Sequence, residues 1–190
     1  VHRPFHIDGE DLRAILDKSR KFYEALNLAW LLKVESNHRA VSFHDITDRV
    51  KDIVKESGIQ NGIVVVYSHH TTCSVITQEC AFDKSMTGLE TLQQDLVNMF
   101  EEWIPTCRTE GMYLHPGAEA LQFAEAHGED NFGCHNTDAH LRSSIIGRSV
   151  TIVIDDGIVD LGEFGRIHFI DWDQTRGRAR TIQIMIIGER

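Results

Sequence analysis

The chain has 190 residues, 42% of them hydrophobic and 25% charged, with a formal net charge of -10. That length suits one domain able to bury its own core without disulfide or metal staples. The acidic balance excludes non-specific nucleic-acid binding, which needs basic surface, but leaves room for a small phosphorylated ligand held by a few local arginines.

Four cysteines (Cys73, Cys80, Cys107 and Cys134) form no C-x-x-C pair and read as reduced, mostly buried thiols. No apolar run reaches the roughly 18 residues of a membrane-spanning helix. The chain opens without a charged-then-apolar leader, so no signal peptide is expected. The opening Val1 in place of Met points to a trimmed start. The expected location is cytoplasmic, with no membrane or nucleic-acid partner.

Residues 1–8 read as irregular. Asp11 to Leu32 carries a broken apolar stripe of Leu12, Ile15, Leu16, Phe22, Leu26 and Trp30, which predicts a helix. Its end is compatible with a strand near Trp30–Glu35. Asp45 to Ser57 predicts a clear helix: Ile46, Val50, Ile53 and Val54 share a face and Gly58 can close it. Ile63–Tyr67 is a β-branched run and predicts a buried strand. A second strand starts within Ser68–Thr77.

Gly88 to Trp103 predicts a helix with Leu89, Leu92, Leu96, Phe100 and Trp103 on one face, stopped by Pro105. Residues 104–134 read as a long surface loop with a short helix at Glu119–Ala126, a length often tied to function. Asn136 to Ile146 predicts a short helix ended by Gly147. Strands follow at Val150–Ile154, Ile158–Leu161, Arg166–Ile170 and Arg180–Ile187, with Asp155-Asp156-Gly157 as a hairpin turn. Helices early and strands late indicate an α+β fold with a mainly antiparallel, β-sandwich-like core and flanking helices.

Histidine is the compositional oddity. There are 11, and His69, His70, His115, His127, His135 and His140 fall within one part of the chain. Imidazole suits zinc and similar ions, and three ligands with one open position is the usual catalytic arrangement. His70, His127 and His140 are the candidates for a divalent metal, zinc or magnesium, with His69 and His135 in reserve. No metalloprotease or zinc-finger spacing is present, so a structural role for each histidine stands beside the metal reading.

An anion site is the other reading. Thr71, Thr72, Ser143 and Ser144 supply hydroxyls, and Arg142, Arg178 and Arg180 supply forked donors that fit phosphate. The bland alternatives are a solvated Asp138–Arg142 pair, a helix-capping Asn136, and arginines 176, 178 and 180 that only solubilise a turn. Asp95 and Glu79 are candidate bases or surface acids. Cys73 reads as a packing residue. No Walker loop, dinucleotide fingerprint or nucleophile elbow occurs.

Several of these pieces, in order, resemble the YjbQ-like family, also named secondary thiamine-phosphate synthases. Val64-Val65-Val66-Tyr67-Ser68-His69-His70-Thr71-Thr72-Cys73-Ser74-Val75 is similar to its apolar strand followed by H-T-S/T-A-S. Gln94-Asp95-Leu96 is similar to its D-L block. Asn136 through Gly147 is similar to its N-x-x-A-H-[IL]-[KR]-S-S-[LM]-L-G, and Gly157–Gly162 and Arg178-Ala179-Arg180 to its closing blocks.

The resemblance covers roughly residues 30–190. It implies one domain at 30–190 behind a helical extension at 1–29, which has no counterpart in compact members. It implies a homotrimer, and a thiamine-phosphate synthase-like transferase acting on small phosphorylated metabolites. His70, Asp95, Asn136 and His140 would be catalytic. The alternatives are a metal-dependent hydrolase and a non-catalytic trimeric metal- or ligand-binding protein. The chain departs from the family at Glu163-Phe164-Gly165, where T-W-Q is usual, at Gln78, and in insertions near 81–90 and 113–126.

Overall fold

The computed structural model describes residues 29–36, 39–129 and 135–190. The elements run β1 (Ala29–Glu35), β2 (Ser42–Asp45), α1 (Thr47–Ser57), β3 (Asn61–Ser68), β4 (Cys73–Glu79), α2 (Thr91–Trp103), α3 (Ala118–Ala126), α4 (Thr137–Ile146), β5 (Ser149–Asp155), β6 (Ile158–Val159), β7 (Gly165–Asp171) and β8 (Ala179–Glu189). Every strand pairing is antiparallel, so the fold is α+β as expected. Most of the helix expected over residues 11–32, the helical extension at 1–29 and Cys134 lie outside the described residues. The tail of that stretch is strand β1, the second of the two readings its sequence allowed.

The strands form a five-stranded sheet, ordered β1-β8-β3-β5-β6, and a three-stranded sheet, ordered β2-β7-β4. Alternation explains how they stack. In β3 and β8 the buried set is Val64 and Val66 against Ile182, Ile184 and Ile186, and β7 adds Ile167 and Phe169 from the other sheet. Val50, Ile53 and Val54 of α1 close this core, spaced at the helical period. Asp45 ties the helix down by accepting from the Thr47 amide at 2.9 Å, and Gly58, at φ 70°, ends it.

The other face of β7 carries Ile170, which leads into Trp172. These pack on Phe100 and Ile104 at the end of α2 and on Ala139 of α4. The α2 stripe is narrower than its sequence implies. Phe100 is buried, but Leu92 and Trp103 are exposed. Gln93 is buried in their stead, because its side chain accepts from the Glu90 amide in a capping box.

Gly62 and Gly188 face each other across β3 and β8. A methyl group at Gly62 would collide with the Ile187 carbonyl, and one at Gly188 with the Asn61 carbonyl. Backbone atoms cannot yield here as a side chain would. Gly62→Ala should therefore lower stability by about 1–3 kcal/mol, the usual cost of overpacking. Denaturant unfolding checks this, and a midpoint equal to that of the native chain would contradict it.

Candidate functional site

The end of the sandwich where β4 and β8 begin and β7 ends holds a knot of buried charge. Arg180 is 2% exposed and Asp171 is 0% exposed. Arg180 presents its Nε–Nη2 edge to both Asp171 oxygens, at 2.6 and 3.0 Å. Nη2 also lies 3.6 Å from Asp173 and donates to Thr72 Oγ1 at 3.4 Å. Asp173 in turn accepts from Asn136 Nδ2 at 3.1 Å. Burial alone would lower the Arg180 pKa, but the Asp171 bond and nearby negative charge reverse this and hold it raised. The adjacent Cys73 thiol is pushed well up by burial and by Asp171.

Beside this knot lies a cavity of about 590 Å³. His70, Thr71 and Thr72 line it from the β3–β4 turn, and Asn136 and His140 from the start of α4. Asp173, Arg176, Arg178 and Arg180 reach it from the β7–β8 connection, and His115, Phe123, Ala124 and Glu129 from the long segment after α2. The cavity thus gathers His70, Thr71, Thr72, Asn136, His140, Arg178 and Arg180, which the sequence singled out. Asn136 stands just before α4, but its side chain bonds Asp173 and does not cap the helix.

His70 Nε2 accepts the Thr181 backbone amide at 2.9 Å. An amide only donates, so the lone pair is occupied and the ring proton sits on Nδ1. Burial and the Arg180 charge lower the His70 pKa. His140 is lowered by burial and by His115, partly offset by a hydrogen bond to the Thr71 backbone and by Asp173. The His115 and His140 rings meet edge to face at 5.8 Å.

Other residues marked in the sequence lie elsewhere. Asp95 is exposed on α2 and lines no part of the cavity. Ser143 donates to the Cys73 carbonyl at 2.6 Å, and Ser144 to the His140 carbonyl of its own helix at 2.8 Å. Arg142 and Asp138 are not a solvated pair: they are 0% and 3% exposed. Arg142 donates to the Ile104 carbonyl at 2.7 Å and to Glu101 at 3.0 Å, and so pins the end of α2.

His127 closes α3, with Nδ1 on the Phe123 carbonyl at 2.7 Å and its ring stacked on Phe123 at 3.9 Å. The metal set His70, His127 and His140 therefore does not assemble. His70 has its Nε2 lone pair taken, and His127 lies outside the cavity lining. Among the described residues no three His, Cys, Asp or Glu side chains are placed to hold a metal ion.

The sequence singled out none of Asp171, Asp173 and Glu129, and placed His115 among the clustered histidines without a role in the site. The Asp171-Trp172-Asp173 triplet, acids at the end of an apolar strand run, was the available signal for the first two.

Two tests follow from this geometry. Asp171→Asn removes the carboxylate on which Arg180 is forked and leaves only Asp173, at 3.6 Å, to offset the buried charge, so it should cost up to about 3–5 kcal/mol of unfolding free energy; a loss under about 1 kcal/mol would show that the Arg180–Asp171 pair does not hold the knot together. The second concerns pH. The folded values of His70 and His140 lie below the ordinary 6.5, so the unfolded chain binds protons first. Stability should fall as pH drops through 6.5 and level off below the folded values, and His70→Gln should shallow the slope. Thermal midpoints that stay flat between about pH 7 and 5 would contradict this.

The model of the family "UPF0047 protein YjbQ-like" matches residues 32–189. A UPF0047 protein of Methanothermobacter thermautotrophicus is 28% identical over 151 residues, covering 80% of this chain and 86% of that protein. YugU of Bacillus subtilis is 28% identical over 141 residues, covering 74% and 87%. Among solved structures, a hypothetical protein of Aeropyrum pernix has 27% identity and a TM-score of 0.62 over 85% of this chain and 98% of that one. A YbjQ-like protein of Sulfolobus solfataricus, 23% identical, shares the fold at a TM-score of 0.62 over 85% and 98% of the two chains. That protein is described as of unknown function, and the names of these relatives carry no activity. The thiamine-phosphate synthase reading with a histidine metal centre is overturned on both counts: membership brings no such activity, and the three histidines do not converge. No helix among the described residues is long and apolar enough to cross a membrane. The match over residues 32–189, with the shared fold, places the chain in the YjbQ-like UPF0047 family.

Proposed function

We propose that the cavity binds a small anionic metabolite, and that a phosphate-bearing one fits it best. The observation that carries this reading is Arg178. It lines the cavity and pairs with no carboxylate among the described residues, whereas Arg180 is neutralised by Asp171 and Asp173. A guanidinium fork suits phosphate oxygens in geometry and charge. Thr71 and the Nδ1–H of His70 add uncharged donors, which help orient a ligand without overcharging the site.

His140 has its pKa lowered, so it is neutral at pH 7 and can take a proton from a bound hydroxyl or return one. The site is thus equipped for acid–base chemistry on the anion it holds. Calorimetric titration with inorganic phosphate at fixed ionic strength tests the binding step. Arg178→Gln should weaken binding about tenfold or more, the equivalent of losing one charge-assisted hydrogen bond. Equal affinity in the variant and the native chain would sink the reading.

A further inference from the structure

Arg176 and Arg180 line the same cavity but use their guanidinium groups differently. Arg180 has both donors of its Nε–Nη2 edge on one carboxylate. Arg176 puts only Nη2 on a partner, Glu129 Oε2 at 3.0 Å, while its Nε is buried with no acceptor. A forked donor edge with one prong filled is an incomplete anion site. The Arg176 and Glu129 side chains are 28% and 45% exposed. Exposed pairs of this kind are weak and give way to a better partner.

Glu129 follows α3, and α3 is lightly held. Ala124 is its single buried residue, and Phe123, on the cavity edge, is 66% exposed. The segment before α3 is fixed by Thr137 Oγ1 donating to the His115 carbonyl at 2.7 Å. The segment after it is tied to the β7–β8 connection by the Arg176–Glu129 pair.

We infer that Glu129 stands in for the ligand's anionic group on Arg176. The inference rests on the anion-binding reading above. An arriving phosphate takes the whole Nε–Nη2 edge of Arg176, displaces the Glu129 carboxylate and releases α3 from the cavity wall. Glu129 thereby sets specificity as well. A ligand must offer more charge, or a better two-point fit, than the carboxylate it replaces, so a phosphate dianion is selected over a simple monocarboxylate.

Glu129→Gln is the test, because it keeps the side chain's size and removes its charge. Phosphate should bind roughly fivefold tighter to the variant, the scale of one exposed ion pair. Acetate should gain at least as much. Glu125→Gln, an equal change of net charge on exposed α3, should move neither by more than about twofold, since exposed charges are screened over about 10 Å. Amide hydrogen exchange gives the second readout. Phosphate should speed exchange across residues 118–127 in the native chain and leave it unchanged in Glu129→Gln, where it is already fast. Phosphate binding that is equal in native and Glu129→Gln proteins, or α3 exchange that ignores phosphate, overturns the inference and leaves the anion site standing. No phosphate binding to either protein overturns both.

Discussion

The buried ion pair between Arg180 and Asp171 is the constraint on which this end of the molecule depends. It joins the start of β8 to the end of β7, reaches the turn before β4 through Thr72, and reaches the start of α4 through Asp173 and Asn136. A buried pair of this kind is seldom a large source of stability, because desolvation offsets most of the Coulomb attraction. Its effect is on position. Breaking either partner leaves a charge in a dry place, so four segments from distant parts of the chain are held to one geometry. The cavity is the space those segments enclose.

That geometry also sets the character of the site. Thr181 follows Arg180 on β8, so the arginine that anchors the strand also brings the Thr181 amide to His70 Nε2. The contact fixes a tautomer and excludes His70 Nε2 as a metal ligand. His70 and His140 are kept neutral at pH 7 by burial, with the Arg180 charge adding to the effect at His70 and His115 at His140. The cavity's positive charge that no carboxylate pairs among the described residues is thus on Arg178, while Arg176 is paired with Glu129 through Nη2 alone. An anion-binding role follows more directly from this arrangement than the metal chemistry that a count of histidines invites.

Much of the fold was legible in the sequence because its signals are local. The periods of Val50, Ile53 and Val54 and of Ile182, Ile184 and Ile186 match the elements they form. The cavity residues His70, Asn136, His140 and Arg180 were legible as a polar concentration beside apolar strands. The roles of Arg142, Ser143 and Asp138 were not, because partners such as Ile104 and Cys73 lie about 40 to 70 residues away in sequence. Nor was the β1 assignment settled, since Ala29–Glu35 becomes a strand through its pairing with β8. Phe164, at one of the positions where the sequence was expected to depart from the family, packs edge to face on Phe82 at 6.0 Å, and neither ring lines the cavity. The stretch at 113–126 does reach the cavity, through His115, Phe123 and Ala124.

If the buried Arg180 knot frames a cavity built for an anion, phosphate should find it. A crystal structure grown with inorganic phosphate tests it most directly. One phosphate should sit in the cavity, bonded to Arg178, with Arg180 still forked on Asp171. Phosphate confined to outer surfaces at saturating concentration, or an Arg180 that leaves Asp171 to bind it, would rule out an anion site framed by that knot.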